Sequence, residues 1–151
     1  MTVAGSIPEV REDALLGGRV RLAQPVRGYR AGMDAALLAA SVAARPGERG
    51  IEAGCGPGAV LTQIAVRCPG VQLVGLEREA EIAELAQRNI ETNGLGDRAE
   101  IRTGDVAEGF RALNLPPFDW AVSNPPFFDD PGSLRPPAPE RRAAWMAATG
   151  K

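Results

Sequence analysis

The period of apolar and polar positions changes along this chain. Residues 17–25, GGRVRLAQP, alternate: Val20 and Leu22 fall on one face, Arg19 and Arg21 on the other. That period of two predicts a short, half-exposed strand or hairpin arm. The first 14 residues carry no comparable pattern and read as loosely ordered. VRGYRAGMD (26–34) is a glycine-bearing loop, and DAALLAASVAA (34–44) reads as a helix. Asp34 is expected to cap its first turn, and Pro46-Gly47 to close it.

From about residue 49 strands and helices alternate. RGIEAGCGPGA supplies a short strand and a glycine loop, and VLTQIAVRC continues as a helix ended by Pro69-Gly70. VQLVGLE (71–77) is a buried-type strand. EAEIAELAQRNIETNG (79–94) is the clearest helix, with Ile82, Ala83, Leu85, Ala86 and Ile90 on one stripe and Asn93-Gly94 as its exit. AEIRTGD (99–105) and FDWAVSN (118–124) are two further strands, separated by a short predicted helix over 107–113. Strands alternating with helices predict an α/β domain whose parallel sheet carries helices on both faces. The proline-rich stretch from Pro131 to Pro139 reads as a loop.

Composition narrows the class. A chain of 151 residues suffices for one domain and one core. A hydrophobic content of 44% is that of an ordinary globular protein. The formal net charge of −2 argues neither for nor against nucleic acid. Lys151 is the only lysine, so the cations are otherwise arginine, the better phosphate ligand. Arg19, Arg21, Arg27 and Arg30 either meet phosphates or solvate one face. With no histidine and two cysteines lacking metal-type spacing, no metal site and no histidine-based triad is expected. The two lone cysteines, Cys55 and Cys68, suit a reducing compartment. No apolar run is long enough to span a bilayer, and the N-terminus lacks a signal-peptide layout. A cytoplasmic protein without a membrane partner is therefore expected.

Chemistry enters at strand ends. EAGCGPGA (52–59) follows a strand and opens a helix, and Gly54, Gly56 and Gly58 allow a tight turn and a close approach of ligand to backbone. Glu77 ends the next strand, about 20 residues on, where an acid commonly binds ribose hydroxyls. Gly54, Gly56 and Ala59 also satisfy the dinucleotide fingerprint, which keeps a nicotinamide-binding oxidoreductase domain open. Glu52, two residues before the first glycine, can accept from an ammonium group such as that of S-adenosylmethionine. Asp105 falls where an adenine amino group could donate to it. In SNPPFF (123–128), the Asn124 side-chain oxygen and the Pro125 carbonyl are two acceptors on a stiff backbone. Accepting both N–H groups of an adenine amine or a carboxamide turns its nitrogen lone pair toward an electrophile. Phe127 offers a stacking face for a planar substrate.

EAGCGPG, Glu77, the GD at 104–105 and NPPF at 124–127 resemble the motifs of class I S-adenosylmethionine-dependent methyltransferases. NPPF resembles the branch that methylates adenine N6, cytosine N4 or protein glutamine. QPVRGYRAGMDAALLAAS (24–41) and NPPFFDDP look like bacterial tRNA1(Val)-type (adenine-N6)-methyltransferases. The resemblance implies a Rossmann-like sheet and S-adenosylmethionine as cofactor. It implies that Glu52 and Gly54 hold the methionine moiety, with Gly56 and Gly58 shaping the loop. Glu77 would hold the ribose, and Asp105 with the backbone of Val106 the adenine. Asn124, Pro125, Pro126 and Phe127 would hold the target amine, and the stretch around Arg30 and Asp34 would lie near the methionine end or the substrate mouth. The expected partner is an RNA, most concretely tRNA; protein glutamine is the alternative within the same chemistry. The family sheet has seven strands, and NPPF follows the fourth. With 23 residues after Phe128, residues 1–151 are expected to form one incomplete domain: an N-terminal hairpin and helix extension over 1–48, and a cofactor-binding core over 49–130 that lacks the C-terminal strands. The implied parent is about 100 residues longer.

Overall fold

The computed structural model describes residues 8–28 and 30–125. Strands β1 (Val10–Leu15) and β2 (Val20–Pro25) form an antiparallel hairpin, registered from Val10 opposite Pro25 to Leu15 opposite Val20. Then come α1 (Met33–Ser41), β3 (Arg49–Ala53), α2 (Ala59–Arg67), β4 (Gln72–Glu77), α3 (Ala80–Thr92), β5 (Ala99–Thr103) and β6 (Trp120–Ser123). Strands β3 to β6 make one parallel sheet in the order β5-β4-β3-β6. Among the described residues β6 is an edge strand, and no helix is long and apolar enough to cross a membrane.

Register and pleat divide the sheet into two faces. Gly50, Glu52, Leu73, Gly75, Ala99, Ile101, Trp120 and Val122 share one of them. Against this face α1, α2 and α3 contribute to a single apolar cluster that includes Ala35, Ala39, Leu61, Ile64, Leu73, Ile90 and Ala99. Burying each large aliphatic side chain there contributes about 1.5–3 kcal/mol. The opposite face presents Ile51, Val74 and Leu76, covered by Leu113, Leu115 and Phe118. Among the described residues this second cover is therefore the segment leading into β6 rather than a helix. An edge-to-face contact between Phe110 and Phe118, with centroids 5.8 Å apart, pins it.

The structure corrects several expectations. The opening residues are not all loose: 10–14, read as unpatterned, belong to the strand Val10–Leu15. Its charged sequence, VREDAL, carries no clear alternation, and its pairing comes from β2. The helix expected over 107–113 is one 3-10 turn, Val106–Glu108. Gly109, at φ +81°, breaks it, and Asn114, at φ +51°, turns the chain again. Helix α1 stops at Ser41, five residues before Pro46, because Val42 adopts an extended conformation. Gly50 is required for packing: a Cβ there would overlap the six-membered ring of Trp120 on the neighbouring strand.

Two asparagines, Asn89 in α3 and Asn93 at its C-cap, bind the hairpin to the domain. The Asn89 Oδ1 accepts from the Ala23 N–H at 2.8 Å, and its Nδ2 donates to the Ala23 carbonyl at 2.9 Å. Asn93 does the same one helical turn later, accepting from the Arg21 N–H at 2.9 Å and donating to its carbonyl at 2.7 Å. Four helical residues rise about 6 Å, close to the span of two strand residues. The i, i+4 pair thus stands in for a strand along the edge of β2. Asn89 Nδ2 also donates to the Pro57 carbonyl in the glycine loop at 2.8 Å, so one buried amide joins hairpin, helix and loop. Asn89→Leu, nearly isosteric, should leave buried backbone groups unpaired and lower stability by about 2–4 kcal/mol in urea denaturation. Asn93→Ala, at the more exposed rung, should cost about 1 kcal/mol.

Candidate active site

Because β3 to β6 are parallel, their carboxyl ends share one edge. Chain direction across the sheet reverses at β3: β4 and β5 lie on one side, β6 on the other. Such a switch point opens a crevice outside the strand ends where ligands of α/β sheets bind. Along this edge stand, in order, Asp105 after β5, Glu77 at the end of β4, the glycine loop after β3, and Asn124 after β6.

The loop is held by β4. Gly54 and Cys55 both donate their N–H to the Leu76 carbonyl, at 2.8 and 3.0 Å. Gly54, Gly56 and Gly58 have φ of +70°, +53° and +92°, the left-handed region where a side chain is strained. A Cβ at Gly54 or Gly56 would meet nothing within 4 Å, so both face open space. Glu77 is buried and clamps the loop: Oε2 accepts from the Gly56 N–H and Oε1 from the Glu79 N–H, each at 2.9 Å. A carboxylate offers about four lone-pair positions, so these two bonds leave acceptor capacity for further donors. The clamp was not legible in the spacing, which pointed only to a strand-end acid.

Glu52 is buried on the helix-covered face, and its Oε2 has no hydrogen-bond partner among the described residues. Burial pushes its carboxyl well above the usual range; the Leu61 N–H opposes this and the nearby Glu77 charge adds to it. Cys55 is shifted the same way, by burial and then by the charges of Glu52 and Glu77, which makes it a poor thiolate. Asp105 caps the 3-10 turn: Oδ1 accepts from the Ala107 N–H at 2.9 Å, while Glu108 Oε1 accepts from the Asp105 N–H at 2.9 Å. Val106, immediately after, is 53% exposed.

At the other end of the crevice, Ser123 Oγ donates to the Ala53 carbonyl at 3.0 Å and ties the end of β6 to β3. Asn124 Nδ2 donates to Asp34 Oδ2 at 2.8 Å. Asp34 therefore does not cap α1 as expected. Gly32 holds the N-cap position without a side-chain bond, and Asp34 sits in the first turn, where it accepts from Asn124. Pro125 is described; Pro126 and Phe127 lie outside the described residues, as do Tyr29 and the proline-rich 131–139 stretch. Arg30 pairs with Asp13 at 2.9 Å, supported by Gln24 Nε2, which donates to Asp13 at 2.9 Å. Partial burial opposes the charge on Asp13, but the bonds from Arg30 and Gln24 and the charges of Arg30 and Arg11 outweigh it and lower its pKa. Arg21 pairs with Glu12, and Arg19 donates to the Val66 carbonyl. These three arginines have local structural partners. Among the described residues no cluster of His, Cys, Asp or Glu could hold a metal ion.

A glycine loop, strand-end acids and an Asn-Pro terminus along one parallel edge define a Rossmann-like, nucleoside-type binding domain. The chain belongs to the methyltransferase small domain family, whose model matches residues 30–134. It is 35% identical over 100 residues to a tRNA1(Val) (adenine(37)-N6)-methyltransferase of Yersinia pestis, a match covering 66% of this chain and 40% of that protein. The chain thus spans about 40% of the length of the curated relatives it matches. Among solved structures it resembles an S-adenosylmethionine-dependent O-methyltransferase of Thermotoga maritima (26% identity, TM-score 0.54, 66% of this chain and 37% of that one). A Thiobacillus denitrificans methyltransferase solved with S-adenosylhomocysteine shares the fold (24% identity, TM-score 0.52, 62% and 36%). Family membership sets aside the nicotinamide-dependent alternative that the glycine pattern had left open.

The Glu52 shift has a measurable consequence. A carboxyl whose folded pKa is raised holds its proton more tightly in the native than in the unfolded state. Its contribution to stability is full below the unfolded value of about 4.3 and is lost as pH rises toward the folded value. Glu52→Gln should remove that part of the pH dependence. Melting temperature followed upward from about pH 4.3 should fall less steeply in the variant than in the parent.

Proposed function

We propose that this chain is the cofactor-binding part of an S-adenosylmethionine-dependent methyltransferase acting on an exocyclic amino nitrogen, most specifically adenine N6 in tRNA. The observation that carries the reading is the order of groups along the carboxyl edge: Asp105, Glu77, glycine loop, Asn124. In that order an adenosine end, a ribose, a methionine end and a target amine follow one another without a crossing. The reading divides the chain as a core over 49–130 and an extension over 1–48 that brings Asp34 to the crevice. It takes the site of work to be cytoplasmic, in keeping with two free cysteines.

The residues present fit the cofactor. Gly54 and Gly56 face open space where a nucleoside could approach the backbone, and Glu52 keeps a buried carboxylate oxygen without a partner among the described residues. Glu52 would hold the methionine ammonium, Gly54 its neighbouring backbone, Glu77 the ribose hydroxyls, and Asp105 with Val106 the adenine. When bound, S-adenosylmethionine supplies a methyl group already activated by its sulfonium. Asn124 Oδ1 and the Pro125 carbonyl would accept the two N–H groups of the incoming amine. So held, the amine lone pair would face the methyl group that the sulfonium gives up, and the amine would release its proton to water. In this reading Pro126 would stiffen the turn and Phe127 would stack on the base, which a structured RNA must flip out to present. The tRNA substrate is supported by the Yersinia pestis relative and by the NPPF context.

The test uses the full-length protein with S-adenosylmethionine labelled in its methyl group and total bacterial tRNA, digested to nucleosides. Label in N6-methyladenosine is the expected result. Label only in a release-factor glutamine, or none in any nucleic acid, overturns the tRNA reading. Asn124→Ala should lower kcat by ~100-fold, while S-adenosylhomocysteine affinity in calorimetry stays within about 3-fold. Equal losses in both would contradict the role given to Asn124.

A further inference from the structure

The bond between Asn124 and Asp34 joins residues 90 positions apart and lies at the substrate end of the crevice. An amide side chain has two ends of nearly equal size and opposite chemistry: Oδ1 accepts and Nδ2 donates. Chain geometry alone does not select between them. A carboxylate resolves the ambiguity, because at neutral pH it accepts only. Facing Asp34, Asn124 must present Nδ2, and Oδ1 is then committed to the other end of the amide, away from α1.

The carboxylate is itself held in place. Asp34 stands in the first turn of α1, where the helix N-terminus favours negative charge. Its Oδ1 leans back over Gly32, 3.2 Å from where a Cβ there would lie, and its Oδ2 reaches Asn124 Nδ2 at 2.8 Å. On the other side, Asn124 is fixed by the register of β6 on β3, by the Ser123 bond to the Ala53 carbonyl, and by the restriction Pro125 places on the residue before it. Donation to a carboxylate also moves electron density onto the amide oxygen, which strengthens it as an acceptor.

We propose that Asp34 is a positioning residue for the methyl-transfer site: it selects and polarises the Asn124 amide so that Oδ1 receives the N–H of the target amine. The inference rests on the amino-methyltransferase reading above and deepens it. In the proposed division of the chain, it gives α1, within the extension over 1–48, a part in the chemistry.

Four variants of the full-length protein test it against total bacterial tRNA, with S-adenosylhomocysteine binding measured in parallel. Asp34→Ala should lower kcat by ~10–100-fold with cofactor-product affinity within about 2-fold. Asn124→Asp should lose ~100-fold or more, because two carboxylates would then face each other. In the double variant Asp34→Asn/Asn124→Asp, the bond is restored with donor and acceptor exchanged, and position 124 still presents an oxygen to the substrate. It should recover to within ~10-fold of the parent, whereas Asp34→Asn alone should fall between the parent and Asp34→Ala. Unchanged kcat in Asp34→Ala, equal losses of kcat and binding, or a double variant no better than Asn124→Asp overturns the proposal. If the parent methylates no amino group, the functional reading fails separately. The amide orientation is then read from the Asn124 side-chain resonances of 15N-labelled protein: an upfield move in Asp34→Ala supports the pairing, and no change overturns it.

Discussion

Parallel pairing of β3 with both β4 and β6 is the constraint on which the site depends. Hydrogen bonds in register from Gly50 to Ala53 align three strands in one direction, and β5 extends the set. Every strand therefore delivers its carboxyl end to the same edge. Residues separated by as many as 72 positions, Glu52 and Asn124, end up on adjacent strands or their immediate continuations. Close packing enforces the pairing: Trp120 lies over Gly50, which must lack a side chain, and Gly75 leaves room for Ile101 and Cys55. A Cβ at either glycine would push neighbouring strands apart and move the crevice with them.

Two glutamates at this edge illustrate how environment divides one residue type into two parts. Glu77 has a backbone N–H on each carboxylate oxygen, which repays much of its burial and fixes the bend of the glycine loop. Glu52 is raised in pKa by burial and by the Glu77 charge against the Leu61 N–H, and its Oε2 has no partner among the described residues. Native proteins rarely keep such a group without a use, because an unpaired buried carboxylate costs stability at neutral pH. The loop between them is steadied from α3 through Asn89 and Pro57, so the hairpin, α3 and the glycine loop form one hydrogen-bonded unit.

Much of the core was readable directly. Helix α3 shows its apolar stripe in sequence because one face buries Ala83, Leu85, Ala86 and Ile90 while the other remains charged. Strand β4 reads as a continuous apolar run because both of its faces are covered. The glycines of the loop advertise themselves because a left-handed turn tolerates little else. Strand β1 was not readable: VREDAL is exposed along much of its length, and its conformation is imposed by β2. The segment 107–113 was misread because helix-forming residues flank Gly109, whose positive φ ends the single turn. Asp34 fitted a helix cap by position, yet its carboxylate is taken by an amide from another strand.

The sequence by itself determined the elements of the α/β core, the turn residues of its loop and the acids at its strand ends. Periodicity, backbone conformation and local spacing are written in consecutive residues. Only the tertiary structure decided which groups meet: Glu77 with the Gly56 amide of the loop, Asn89 with the edge of β2, Asp34 with Asn124. These contacts depend on strand order and on the direction in which each side chain leaves its element. The packing of all the elements sets both together, and no local stretch of sequence contains them.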